Sequence, residues 1–187
     1  MARAAATRVL SGLDAWRRFT AVYAHLMAHL ARELARATGL SEADYQVLDA
    51  LLDAPGGRAR ALQLRVALEW EKSRLSHQLA RMVERGLLAR TSCVEDARGA
   101  DIALTDAGRE AGQRARRVRA ESVRTMVLET LGAEGMACLD EVATVLATRL
   151  SEAARADPAC RAALAEATGR DDDHALADFI EAGQQHR

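Results

Sequence analysis

Proline occurs only twice in this chain of 187 residues, at Pro55 and Pro158. Alanine and leucine, which favour helices, are abundant, whereas proline, which interrupts them, is scarce. Hydrophobic residues make up 49% of the chain and charged residues 28%, a balance typical of globular rather than disordered proteins. The sequence therefore predicts a mainly α-helical fold, and its length suits a single domain over residues 1–187.

Features that the sequence lacks argue against several classes of protein. No apolar run is long enough to span a bilayer, and the N-terminus lacks the apolar core of a signal peptide, so we expect a cytoplasmic protein without a membrane partner. The cysteines form no CxxC pair, and we interpret Cys138 and Cys160 as core residues. We find no motif that combines a nucleophile with a base, and none that groups metal ligands. We therefore predict no enzyme activity, no metal and no cofactor.

Charge is distributed unevenly along the chain, although the net charge is only −1. Residues 58–100 carry a net charge of +4, whereas residues 1–57 are neutral and residues 101–187 carry −5. A basic centre between neutral and acidic flanks favours a small module that contacts an anionic partner and is carried on a larger frame.

Hydrophobic periodicity predicts helices that are separated by short loops. Apolar residues from Phe19 to Leu34 recur at three- and four-residue steps, and Ser41 with Asp44 forms a capping-box pattern before the second helix. The predicted helices cover about residues 11–38, 41–54, 60–67, 71–85, 105–131 and, after a break at Gly132, 133–154. Residues 87–91 and 101–104 carry the only β signal, which predicts a two-stranded β-wing.

The order helix, helix, turn, helix and hairpin is that of a winged helix-turn-helix. Residues 71–78 offer hydrogen-bond donors and acceptors above an apolar floor of Leu75, Leu79 and Met82. A helix with such an outer face can enter the major groove of DNA. The hairpin tip, with Arg98 beside Gly99, is narrow and cationic, which suits contact with an adjacent minor groove or with phosphates.

Five short sequence motifs follow one another within residues 40–108. They are LS at 40–41 with YQVL at 45–48, LEWEKSRLSHQL at 68–79, RGLL at 85–88, DARG at 96–99 and LTDAG at 104–108. This stretch resembles the MarR family of bacterial transcriptional regulators. The resemblance implies a ligand-responsive repressor that binds double-stranded DNA as a homodimer, at a pseudo-palindromic operator.

The resemblance also implies a role for each part of the chain. Residues 40–108 would form the DNA-binding module, and residues 1–38 and 109–187 the long N- and C-terminal dimerisation helices. Asp96 would orient the wing, through a charge pair with an arginine such as Arg90. His77 stands where many family members carry an arginine. The expected DNA contacts are Lys72, Ser73, Arg74, Ser76, His77, Arg81 and Arg98.

The resemblance further implies a small aromatic or carboxylated anionic effector. Its expected lining is aromatic and cationic and comprises Trp16, Arg17, Tyr23, His25 and His29. Two simpler interpretations stay open: Trp16 and Tyr23 would pack in the dimer core, and His25 with His29 would belong to an ordinary polar helix face.

The mainly helical pattern also fits a function without DNA, and the arginine-rich stretch has a simple structural interpretation. The alternative function is a helical protein-interaction module without DNA binding, which salt-dependent binding to an inverted-repeat duplex would exclude. The simpler interpretation concerns the arginine-rich stretch at residues 114–124, which we read as a solvated helix face with intrahelical ion pairs.

Overall fold

The computed structural model describes residues 2–92 and 100–156. It is mainly helical with one small sheet, which confirms the predicted fold class. Two long helices flank a compact centre, where the shorter helices and the strands lie. The helices are α1 (Ala2–Thr38), α2 (Glu42–Asp53), α3 (Ala61–Ala67), α4 (Lys72–Glu84), α5 (Asp106–Val123) and α6 (Glu129–Ala156). The strands are β1 (Arg58–Arg60), β2 (Leu88–Ser92) and β3 (Ala100–Leu104).

The sheet has three antiparallel strands in the order β1-β3-β2. The β2–β3 pair is the predicted wing, with Leu88 opposite Leu104. Our prediction that the chain has only these two strands is wrong. Arg58 pairs with Ala103, so β1 lies along the other edge of β3. A three-residue strand is too short to show an alternating pattern, and only its pairing with β3 defines it.

The predicted capping box at the start of α2 is confirmed. The Asp44 amide donates to Ser41 Oγ (3.1 Å), and the Ser41 amide donates to Asp44 Oδ2 (2.9 Å). These two bonds satisfy backbone donors that a helix N-terminus otherwise leaves without partners. They also hold the Asp44 carboxylate at the base of α2, where it faces α4.

The junction between α5 and α6 differs from the prediction of one helix up to about residue 131. A π-helical turn, Arg124–Leu128, separates the two helices. The predicted break at Gly132 is present, because Gly132 has a positive φ of 62° near the start of α6. At the other end of the chain, α1 begins at Ala2 rather than near residue 11.

The core lies between α2, α4, the sheet and the adjoining parts of α1 and α5. The predicted floor of α4 is confirmed, since Leu75, Leu79 and Met82 are all buried. Burying these apolar side chains supplies the main favourable free energy that holds α4 on the module. The largest fully buried side chains are Val47, Leu48, Leu51, Leu64, Leu34, Met82 and Ile102.

The arginines at 114–124 fit our prediction of intrahelical pairs on a solvated face only in part. Arg124 is exposed and pairs with Glu121, three residues earlier (2.5 Å), but two arginines of α5 pair with another helix. Arg116 binds α2 instead, through Asp49 Oδ1 (2.6 Å) and Asp53 Oδ1 (2.7 Å). Arg119 also reaches α2, where it pairs with Glu42. These ion pairs join α5 to the central module, and only contacts between distant parts of the chain could reveal them.

The terminal helices leave large apolar side chains exposed in the single chain. Trp16, Phe19 and Tyr23 on α1 are each about half exposed, as are Val142 and Leu146 on α6. Cys138, which we predicted to be a core residue, is exposed on α6, and Cys160 lies outside the described residues. Within those residues, no helix is long and apolar enough to cross a membrane.

Candidate nucleic-acid interface

The outer side of α4 gathers the six predicted DNA contacts that lie on this helix. The helix follows a tight turn, in which Glu69 has a positive φ of 52° and the Trp70 amide donates to the Arg65 carbonyl (3.1 Å). Its inner side is buried, and its outer side faces solvent along the whole helix. All six predicted side chains are exposed, namely Lys72, Ser73, Arg74, Ser76, His77 and Arg81.

Trp70 holds one of these cations in place. The Arg74 guanidinium carbon lies 4.1 Å from the centroid of the Trp70 ring, and Trp70 itself is buried. Such stacking favours the cation electrostatically and restricts its rotamers before any ligand arrives. This role of Trp70 was not predicted, because Trp70 precedes the N-cap of α4 and the helical spacing of four residues does not apply to it.

Asp44 anchors α4 to α2 through a hydrogen-bond network that no motif in the sequence predicted. Asp44 Oδ1 accepts from Gln78 Nε2 (2.7 Å), and Asp44 Oδ2 accepts from Arg85 Nη1 (2.8 Å). Burial alone would raise the pKa of the Asp44 carboxyl, but the hydrogen bonds from Arg85 and Ser41 outweigh it and lower the pKa below its ordinary value. The carboxylate is therefore ionised at neutral pH.

This network predicts a pH-dependent contribution to stability. At pH 7 we expect Asp44→Asn to lower the free energy of unfolding by about 1–3 kcal/mol, because it weakens bonds to a buried charge. A group whose pKa is lowered on folding stabilises the protein above its unfolded pKa, which is near 3.8 for Asp44, and loses that contribution as the pH falls further. Urea unfolding should show a constant difference between wild type and variant above about pH 5 that shrinks below about pH 4. A difference that does not change across this range would contradict the assignment.

The wing is joined to α4 and α5 at one close contact. Thr105 Oγ1 donates to the Gly86 carbonyl (2.7 Å) and accepts from the Gly108 amide (2.9 Å), so it both caps α5 and binds the turn that follows α4. Gly108 lies directly against the Leu87 carbonyl, where a Cβ atom would not fit. Arg90 is exposed on β2. The predicted wing residues Asp96 and Arg98 lie outside the described residues.

The predicted effector residues are spread around α1. Trp16 and Tyr23 lie on the same side of α1, with Phe19 between them. The centroid of the Phe19 ring is 5.9 Å from that of Trp16 and 6.2 Å from that of Tyr23. Arg17 pairs with Asp14, one turn earlier (3.2 Å). His25 follows Trp16 by about two and a half helical turns and so lies on the opposite side of α1. His29 is partly buried on α1.

The single chain therefore does not bring the five predicted effector residues together at one place. In the described part of the chain, no three His, Cys, Asp or Glu side chains are grouped so that they could hold a metal ion.

A helix-turn-helix with an antiparallel wing and an exposed cationic second helix defines a winged helix-turn-helix protein. Comparison with known proteins gives the family. The family model described as the MarR family matches residues 38–99. A sequence search of the curated proteins finds no significant match.

Among the solved structures that are similar to this chain, three bear on its function. Sco3205, a MarR family transcriptional regulator from Streptomyces coelicolor solved in complex with DNA, is 32% identical; the match covers 71% of this chain and 83% of that one, with a TM-score of 0.66. AbsC, a MarR family transcriptional regulator from the same organism, is 33% identical over 73% and 91% of the two chains, with a TM-score of 0.67. An organohalide-sensing transcriptional regulator in its 2,4-dichlorophenol-bound form shares the fold at 20% identity, over 72% and 78%, with a TM-score of 0.63.

This chain belongs to the MarR family of transcriptional regulators. It is a DNA-binding regulator, and its relatives are regulators of transcription rather than enzymes.

Proposed function

We propose that the protein is a homodimeric repressor that binds a pseudo-palindromic operator and responds to a small ligand. The observation that carries the proposal is the exposed polar and cationic side of α4, which stands on a buried apolar floor. A rigid helix with such a face fits the major groove of DNA. In this proposal residues 40–108 are the DNA-binding module, and residues 1–38 and 109–187 are the dimerisation region.

Each side chain of the interface has a role that follows from its chemistry. Arg74 and Arg81 offer planar guanidinium groups to guanine edges or phosphates, and Lys72 offers a point charge to phosphates. Ser73, Ser76 and His77 offer shorter donors and acceptors to the bases. Arg98 would contact DNA from the wing tip, which Asp96 and Arg90 would orient.

The homodimer is proposed from the apolar faces of the terminal helices. Water-exposed apolar area of this extent usually marks an interface, and α1 and α6 both carry it on one side. Two copies that pair these faces would bury them around a two-fold axis and present two α4 helices to successive major grooves. The apolar side chains concerned are Leu13, Trp16, Phe19, Val22 and Tyr23 on α1, with Leu139, Val142, Val145, Leu146 and Leu150 on α6.

The proposed effector is a small aromatic or carboxylated anion. The exposed row of Trp16, Phe19 and Tyr23 offers aromatic faces, and Arg17 offers a cation beside it. His25 and His29 would join such a site only if a second copy brings its own α1 alongside. A protein of the same fold has been solved with a bound chlorinated phenol, and this supports the size and chemical class of the ligand.

The DNA-binding proposal is tested by salt-dependent affinity. The probe is a fluorescent duplex of about 30 base pairs, recovered from a randomised library by selection with the wild-type protein, which spans two half-sites one helical turn apart. Arg74→Ala and Arg98→Ala should each weaken binding about 5- to 100-fold and reduce the dependence of affinity on salt. Fluorescence anisotropy at two or more salt concentrations measures both effects.

Arg18→Ala is the matched control, because it removes an equal charge from the exposed surface of α1, far along the chain from α4. Wild-type affinity in the Arg74 and Arg98 variants would place DNA elsewhere on the molecule. Failure of the selection to return any bound duplex would favour the helical protein-interaction module.

A further inference from the structure

The buried network behind α4 ends at one of its exposed cations. Asp44 and Gln78 are 3% and 2% exposed, and they are the buried polar residues of the core in the described part of the chain. A salt bridge from Asp44 to Arg85 and the capping bonds to Ser41 already hold the carboxylate in place. Gln78 binds the other carboxylate oxygen, because Ser41 and Arg85 donate to Asp44 Oδ2 whereas Gln78 Nε2 donates to Oδ1.

The chemistry of Asp44 dictates which way the Gln78 amide points. An ionised carboxylate only accepts hydrogen bonds, so the group that Gln78 turns toward Asp44 Oδ1 must be its NH2 group. The Gln78 carbonyl oxygen is then turned toward the surface of α4. There it accepts a hydrogen bond from Arg81 Nη2.

We propose that Gln78 is a positioning residue for DNA recognition: the Asp44 carboxylate fixes the Gln78 amide, whose carbonyl oxygen holds the Arg81 guanidinium at the edge of the DNA-facing side of α4. The inference rests on the proposed function, because it needs Arg81 to contact DNA. The hydrogen bond uses one guanidinium NH2 group of Arg81 and leaves its other donors to reach a base or phosphate. Holding the long side chain in place before binding reduces the rotamer entropy lost on binding.

The test is a double-mutant cycle on DNA affinity, measured with the selected duplex described above. Arg81→Ala is compared in the wild-type protein and in a Gln78→Met background, which keeps the side-chain length but removes the amide. We expect Arg81→Ala to weaken binding about tenfold in the wild-type protein and less than about twofold in the Gln78→Met background.

A parallel cycle with Arg74→Ala is the matched control. Arg74 is held by Trp70 and not by Gln78, so Arg74→Ala should weaken binding equally in both backgrounds. If Gln78→Met also abolishes the effect of Arg74→Ala, Gln78 supports the helix as a whole and the positioning role is wrong. If Arg81→Ala has the same effect in both backgrounds, the positioning role is again wrong, whereas the proposed function stands.

Failure of the proposed function gives a different result. In that case Arg81→Ala and Arg74→Ala both leave the affinity of the wild-type protein unchanged, and this overturns the positioning role as well. Should Gln78→Met fail to fold, Asp44→Asn replaces it in the cycle, because an asparagine can donate as well as accept and no longer dictates the orientation of the Gln78 amide. The Arg81→Ala effect should shrink in that background, and an unchanged effect would overturn the inference.

Discussion

Gly108→Ala is expected to lower the free energy of unfolding by about 3 kcal/mol or more, a large share of the stability of a domain of this size. A Cβ atom at this position would lie 2.9 Å from the Leu87 carbonyl carbon and closer still to its oxygen. Both atoms belong to backbone that is fixed on either side, since the Leu87 amide donates to the Met82 carbonyl (3.0 Å) and the Thr105 amide donates to the Leu87 carbonyl (3.2 Å). Neither the turn nor α5 can move without breaking these bonds.

Gly12→Ala is the matched control for this prediction. Gly12 is exposed in the single chain, with nothing within 4 Å of its added Cβ atom, so alanine meets no clash within its own chain and we expect no loss of stability. Thermal and urea unfolding of the two variants measure the contrast. A Gly108→Ala protein as stable as wild type would show that α5 does not pack against the end of α4 as described.

Leu146→Glu is expected to dissociate the proposed homodimer and to weaken operator binding about a hundredfold. The side chain is 47% exposed in the single chain and lies on the same side of α6 as Leu139 and Val142. If a second copy covers this face, the substitution buries an unpaired carboxylate, which costs several kcal/mol. A dimer that contacts two half-sites binds DNA at least about a hundredfold more tightly than a monomer that contacts one. The monomeric variant loses this difference in affinity.

Thr148→Glu introduces the same charge on the opposite side of α6 and serves as the control. Its hydroxyl donates only to the Thr144 carbonyl of its own helix (2.9 Å), so we expect the dimer to persist. Sedimentation velocity gives the mass of each variant, and anisotropy gives its DNA affinity. A Leu146→Glu protein that stays dimeric with wild-type affinity would remove α6 from the interface.

Much of the fold could be predicted because the signals for it are local. The period of apolar residues predicts α1, α2 and α4, and the Ser41 and Asp44 pair marks the start of α2. The exposed residues of α4 were also predictable, since a helix that buries Leu75 and Leu79 must turn its other side to solvent. These features depend on residues within one or two turns of each other.

The tertiary structure decided what depends on contacts between distant residues. Gln78 and Asp44 are 34 residues apart in the sequence, and Arg116 and Asp49 are 67 residues apart. The helical period places Gln78 beside the buried Leu75 and Met82, but no local pattern names the partners of its amide. None shows that the short Arg58–Arg60 segment pairs with β3. The sequence by itself determined the helices, the caps and the exposed side of α4. Only the folded chain decided which buried polar groups meet, because burial and partner choice are set by packing between elements and not by the order of residues within one.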